Sequence, residues 1–176
     1  MICAKIGDQF FAISCGKINN DSYSATIKKL TVAQRGNFVQ IVPQRFCAGK
    51  NHFLIALEHA TSALQSNQAI TKNLLLEFLV HFFGKRQLDQ VFEDAKFEQG
   101  EDLIAITDAK EKEHKKILQN LGFEENKSEK MNLQGQKKEL MQFYGIGKEE
   151  LGTLSDKKNA LEELVIEKIS FVALQN

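Results

Sequence analysis

The chain of 176 residues has no tryptophan, only two tyrosines and a single proline, Pro43. The scarcity of Tyr and Trp argues against a surface rich in the residues that dominate binding hot spots. One proline excludes rigid proline-rich spacers between modules. There are three cysteines, Cys3, Cys15 and Cys47, an odd number without a CxxC pair. A secreted disulfide framework is not expected, and a reducing cytoplasm fits better. No apolar run approaches the roughly 18 residues needed to span a bilayer. The first residues, Met-Ile-Cys-Ala-Lys, lack a basic segment followed by an apolar one and do not read as a secretion signal. Net charge is also missing, with 23 basic against 23 acidic side chains, which argues against a general nucleic-acid coat. The balance hides a gradient, because residues 1–90 carry 10 basic and 5 acidic side chains and residues 91–176 carry 13 and 18. A local basic patch on the first half is compatible with this, and so is chance.

What is present is an ordinary globular composition, 43% hydrophobic with 13 phenylalanines. The length predicts a single domain over residues 1–176, able to bury about 70% of its unfolded surface. Ile2–Ile6 and Phe10–Ser14 around Gly7-Asp8 read as a β-hairpin. A helix capped by Asp21 or Ser22 runs to about Gln34 and ends at Gly36. Phe38–Val42 is a strand that stops at Pro43. Helices follow over Asn51–Gln65, Thr71–Phe83 and Gln87–Lys96. The second is apolar nearly all round, hence central, and Gly84 stands where a left-handed residue ends it. Leu103–Thr107 is a buried strand, and Asp108 caps a helix that ends at Gly122. Phe123 begins a short strand, Lys137–Tyr144 is a weak helix, and Gly145–Gly152 is loop-like. Asp156–Val165 is helical and Lys168–Leu174 closes the chain as a strand. The expected fold class is α/β (α+β), a mixed sheet with a layer of several helices.

The common catalytic signatures are absent: no P-loop, no GxGxxG, no HExxH, no GxSxG. Gly145-Ile-Gly147-Lys148 resembles a phosphate loop only faintly and reads better as a turn. The four histidines, His52, His59, His81 and His114, are not spaced as a helical metal pair. Cys47 and His52 allow a thiol–base pair, although a buried inert cysteine is the simpler reading. Glu93-Asp94 and Glu124-Glu125 are sequence neighbours that do not face each other on a helix. One polar cluster remains. Lys50 lies at the start of the first of the three helices, Lys72 at the start of the second, and Lys85-Arg86-Gln87 at the corner after it. Helix starts expose N–H groups suited to phosphate. Antiparallel packing would gather these ends into a small RNA-contacting patch, the alternative being scattered solubilising charge.

Three runs carry a resemblance. Val39-Gln-Ile-Val-Pro-Gln-Arg-Phe-Cys-Ala-Gly-Lys-Asn-His-Phe-Leu-Ile-Ala56 resembles a strand followed by a Gly-Lys-x-His helix start. Leu75-Leu-Glu-Phe-Leu-Val-His-Phe-Phe-Gly-Lys-Arg-Gln-Leu88 is similar to a Glu-Ile/Leu-Leu-x-x-x-Ser/Ala-Gly-x-Arg-Gln-Ile signature. Leu161-Glu-Glu-Leu-Val-Ile-Glu-Lys-Ile-Ser-Phe-Val-Ala-Leu174 resembles a closing Glu-Lys-Ile/Met-Ala-Leu segment. Together they resemble the small subunit of the KEOPS (EKC) complex, the PRPK-binding-protein family in its archaeal type. Phe83 replaces a small residue, Leu88 an isoleucine, and Tyr144–Asn159 is longer than the compact archaeal form.

The resemblance implies a non-enzymatic cytoplasmic subunit without cofactor, metal or membrane association. It would bind the KEOPS kinase/ATPase subunit and meet the other subunits indirectly. The complex installs threonylcarbamoyl on the adenosine at position 37 of ANN-decoding tRNAs, and the small subunit would recruit tRNA by its 3′ CCA end. The implied RNA-binding residues are Lys50, His52, Lys72, Lys85, Arg86 and Gln87. An alternative role for Arg86 and Gln87 is to cap the helix corner. The implied kinase interface is Leu161, Leu164, Val165 and Ile169, with plain core packing as its alternative. A pure protein adaptor without RNA binding and a small-ligand-binding α/β domain are the competing readings.

Overall fold

The hairpin begins the chain as expected. In the computed structural model, β1 (Ile2–Ile6) and β2 (Gln9–Ile18) pair antiparallel with Ile6 opposite Gln9, which leaves Gly7-Asp8 as a two-residue turn. The structure describes residues 1–34, 38–126, 134–153 and 159–174. The chain divides into two compact units, Met1–Gln44 with Ala95–Asn132, and Arg45–Asp94 with Leu133–Asn176.

The first unit is built on a sheet. β3 (Val39–Pro43) and β4 (Leu103–Thr107) join the hairpin in the order β1-β2-β4-β3, and β5 (Phe123–Glu125) pairs with the far end of β2. Every described ladder is antiparallel, so the expected mixed sheet is corrected to an antiparallel one. The α+β class stands. β3 and β4 are buried at all five positions of each, as their unbroken apolar runs require. α1 (Tyr23–Ala33) and α5 (Glu111–Asn120) flank them. Leu30, Val39, Ile41, Leu103, Ala105 and Leu118 close into one hydrophobic cluster. Ser22 caps α1 by accepting from Ala25 N. Asp108 does not cap α5; its carboxylate accepts from Phe38 N at 2.9 Å, and the helix starts after Lys110. The expected stop at Gly36 lies outside the described residues.

A buried polar chain crosses this unit. Ala109 N donates to Thr107 Oγ1 (3.3 Å), and the Thr107 hydroxyl is 2.8 Å from His114 Nδ1. His114 Nε2 is 2.9 Å from Ser14 Oγ, whose hydroxyl donates to Glu125 at 2.5 Å. One direction satisfies every member: threonine donates to Nδ1, Nε2–H donates to serine, and serine donates to the carboxylate. The imidazole therefore donates to Ser14 and does not activate it as a nucleophile.

The second unit is helical. α2 (Lys50–Gln65), α3 (Leu74–Phe83) and α4 (Leu88–Asp94) are the three consecutive helices read from the sequence. α3 starts three residues later than Thr71, because Asn73 Oδ1 accepts from Leu75 N at 2.8 Å and caps it. α6 (Lys137–Phe143) follows, and α7 (Lys148–Thr153) replaces part of the expected loop. The closing strand over Lys168–Leu174 is overturned: this segment is the second half of a helix, α8 (Ala160–Leu174). Its buried residues, Ala160, Leu161, Leu164, Val165, Ile169 and Val172, recur at three and four. α2 and α3 receive that stripe, and this packing outweighs the strand propensity of Ile169, Phe171 and Val172. The helix start expected at Asp156 lies outside the described residues.

Candidate functional site

The expected site centres on the end of the second unit where α2 begins and α3 finishes. These two helix ends meet through His52. Its ring is fully buried and stacks on Phe82, with centroids 4.8 Å apart and planes 14° apart. Ala48 N donates to Nδ1 at 3.1 Å, so the other nitrogen carries the proton and donates to Phe82 O at 3.0 Å. Burial pushes its pKa down to about 4, and the ring is neutral. The Tyr144 hydroxyl lies 2.9 Å from the carbonyl oxygens of both Phe46 and Phe82. Burial raises the pKa of that phenol well above the usual value.

His52 therefore has neither an exposed edge nor an open nitrogen, and its expected contact with RNA is corrected to a core role. The same bonds dispose of a Cys47–His52 thiol–base pair. Gly49 explains itself in this corner. Its φ is +155°, and a Cβ there would stand 2.5 Å from Glu162 Oε1. That oxygen accepts from Asn51 N at 2.6 Å and His52 N at 3.0 Å. The start of α2, read as a phosphate-binding end, is thus filled by the chain's own carboxylate. Gly147 N is likewise taken, donating to Glu150 Oε2 at 2.6 Å.

Three of the expected basic residues gather at this end of α3 and one does not. Lys50 is exposed on the first turn of α2, without an ion-pair partner among the described residues. Gly84 ends α3 in the left-handed conformation, φ +65°, against Ile169. It turns the chain so that Lys85, Arg86 and Gln87 form the corner into α4. Lys85 Nζ sits 2.6 Å from Asp94 Oδ2 and 4.6 Å from the centre of the Phe143 ring. Arg86 Nη1 donates to Val172 O at 3.3 Å. Gln87 is exposed and accepts from the Gln90 side chain. Lys72 precedes the opposite end of α3, about 15 Å away by helical rise.

The expected interface strip is not on the surface. Leu161 and Leu164 are 6% exposed, Val165 and Ile169 0%. All four are corrected to core positions that hold α8 on α2 and α3. The apolar groups that do reach solvent in this unit include Phe92 on α4, 43% exposed, and Phe171 on α8, 49% exposed. The reading from sequence missed Glu162, which no local pattern announces. It also missed Glu77, whose charge inside the apolar run of α3 was a visible signal. Among the described residues no three His, Cys, Asp or Glu are arranged to hold a metal ion, and no helix is long and apolar enough to cross a membrane.

The comparison with protein families matches one model, described as Kinase binding protein CGI-121, over residues 17–173. A comparison with curated proteins finds no match.

Proposed function

The chain belongs to the CGI-121 family of kinase-binding proteins, and from this we propose that it is the small KEOPS subunit that docks on the kinase/ATPase subunit and presents tRNA to it. The observation that carries the reading is the family match, which spans both the sheet unit and the helical unit. In this reading the protein contributes no catalytic group of its own. It helps deliver tRNAs to a complex that modifies the adenosine at position 37.

Lys50, Lys85, Arg86 and Gln87 meet the single-stranded 3′ CCA end. Its bases are open without melting a duplex, and an arginine plane or an amide can stack on them or pair with their edges. Lys72 touches a separate part of the RNA or none. With three cationic contacts, log K should fall against log salt with a slope of about −2. Kinase docking uses the exposed aromatic residues Phe92 and Phe171, while Leu161, Leu164, Val165 and Ile169 hold α8 in place.

A filter-binding titration at low salt tests the RNA role, comparing a full tRNA with the same tRNA lacking its 3′ CCA. CCA-dependent binding that Arg86→Ala weakens without lowering Tm is the expected result. Equal binding of both tRNAs overturns the recruiting role. Co-purification tests docking, where Phe171→Glu should release the kinase and leave the fold intact. A second reading, an adaptor without RNA contact, is favoured by the engagement of Lys85 with Asp94 and of Arg86 with Val172 O. The titration separates the two.

A further inference from the structure

A second polar region of the helical unit plays no part in the proposal above. Part-open to solvent, a cavity of about 90 Å³ is lined by residues of α2, the segment after it, α3 and α8, among them His59, Ser62, Ser66, Gln68, Glu77 and His81. That is room for about six water-sized groups. His81 is 2% exposed; its Nε2 faces the Glu77 carboxylate, while its Nδ1 and the buried His59 Nδ1 have no hydrogen-bond partner among the described residues. The two rings meet edge to face, with centroids 5.6 Å apart. Buried imidazole nitrogens without partners are costly, and a native structure that keeps two of them side by side needs a reason.

Glu77 supplies the charge. It is fully buried, and its oxygens accept from Ile70 N at 3.2 Å and from Thr71 N and the Thr71 hydroxyl at 2.7 and 2.9 Å. Those donors are neutral. A group beside it that could become cationic is His81, whose Nε2 is 3.3 Å from Glu77 Oε1. Burial lowers the pKa of His81 and of His59, although Glu77 pulls the first upward and Glu58 the second. Among the described residues no Lys or Arg lines the cavity. A buried carboxylate beside neutral imidazoles leaves the cavity short of one positive charge and supplied with acceptors.

We propose that this cavity is a binding site for a primary ammonium group, held by the unpaired Nδ1 atoms of His59 and His81 and neutralised by the Glu77 carboxylate, toward which His81 turns Nε2. An ammonium brings one positive charge and three N–H donors, which match those acceptors. An anion would meet the carboxylate with no cation to offset it. A metal ion lacks a third ligand of suitable arrangement among the described residues. The ammonium can belong to a free small amine or to one end of a polyamine.

The test follows the histidine ring nitrogens by NMR on the full chain, at constant ionic strength and near-neutral pH. Methylammonium chloride should give saturable shifts at His59 and His81 and leave His52 and His114 unmoved. His81→Leu should weaken binding about tenfold or more, and His59→Phe, in the other wall, should do the same if the first variant is unstable. 1,4-Diaminobutane binding more tightly than methylammonium assigns the site to a polyamine end, and equal binding assigns it to an isolated ammonium. No saturation, the same shifts from tetramethylammonium (which has no N–H to donate), or shifts from Zn²⁺ alone overturn the proposal.

Discussion

His52 and His81 are a matched pair with opposite fates. Both stand in the helical unit, on helices that pack together, and both are buried, 0% and 2% exposed. Each rests near an aromatic or imidazole ring and each is held neutral by burial. His52 spends both nitrogens on backbone groups, Ala48 N and Phe82 O. His81 has no backbone partner: its Nε2 faces Glu77 and its Nδ1 is unpaired among the described residues. A buried imidazole with two backbone partners works as a fastener between helix ends, whereas one that leaves a nitrogen unpaired toward a cavity is the one proposed above to hold a ligand. Burial alone does not tell a structural histidine from a binding one; the satisfaction of its nitrogens does.

The largest test of the contrast is His52→Ala. It removes two hydrogen bonds and a stacked ring and leaves Ala48 N without an acceptor. The expected loss is about 3–4 kcal/mol, read as a fall in Tm of roughly 6–16 °C for a chain of this size. Retention of Tm would mean that the corner does not depend on this ring.

Next in size is the response to acid. The folded His52 has a pKa of about 4 against an ordinary 6.5. The unfolded chain therefore takes up the proton first. Stability from this group is complete above pH 6.5 and is lost as pH falls from 6.5 to 4, by about 3 kcal/mol in all. His59, His81 and His114 are lowered as well and act in the same direction. Chemical denaturation across that window should show the decline, and a His52→Gln variant should flatten it in part.

Tyr144→Phe is smaller. It deletes the hydroxyl between Phe46 O and Phe82 O while His52 still serves the second carbonyl, so a cost of about 1–2 kcal/mol is expected in the same denaturation. The smallest effect belongs to His81→Leu. Replacing this imidazole with an apolar side chain removes an unsatisfied Nδ1, while Glu77 keeps its donors from Ile70 N, Thr71 N and the Thr71 hydroxyl. Stability should stay within about 1 kcal/mol of the parent or rise. A loss as large as that of His52→Ala would erase the distinction between the two histidines.

The secondary structure could be read where neighbours along the chain decide it. Leu103–Thr107 is the strand expected to the residue, and α2 differs from its expected span only by starting one residue earlier, at Lys50. Gly84 ends α3 in the left-handed turn assigned to it. The last element misled because Ile169, Phe171 and Val172 favour strands when taken alone. The spacing of Leu161, Leu164, Val165 and Ile169 already carried the helical period, and it continues to Val172. For the same reason those residues read as an interface in the sequence, since an apolar stripe looks the same whether its partner is another protein or another helix of its own chain.

Of the candidate site, exposed Lys50 and the Lys85-Arg86-Gln87 corner stand where the pattern put them, at one end of α3. His52 does not, because a Gly-Lys-x-His start places a histidine on a helix but not on a face. The reach of the interactions explains the division. Period, caps and turns depend on residues within about four positions of one another, so composition and spacing are enough to settle them. The partner of a buried nitrogen is chosen at long range: Phe82 lies 30 residues beyond His52, and Glu162 lies 110 beyond it. Only the packed structure brings such groups within hydrogen-bond distance, and only there does one histidine become a fastener while another is left facing an open cavity.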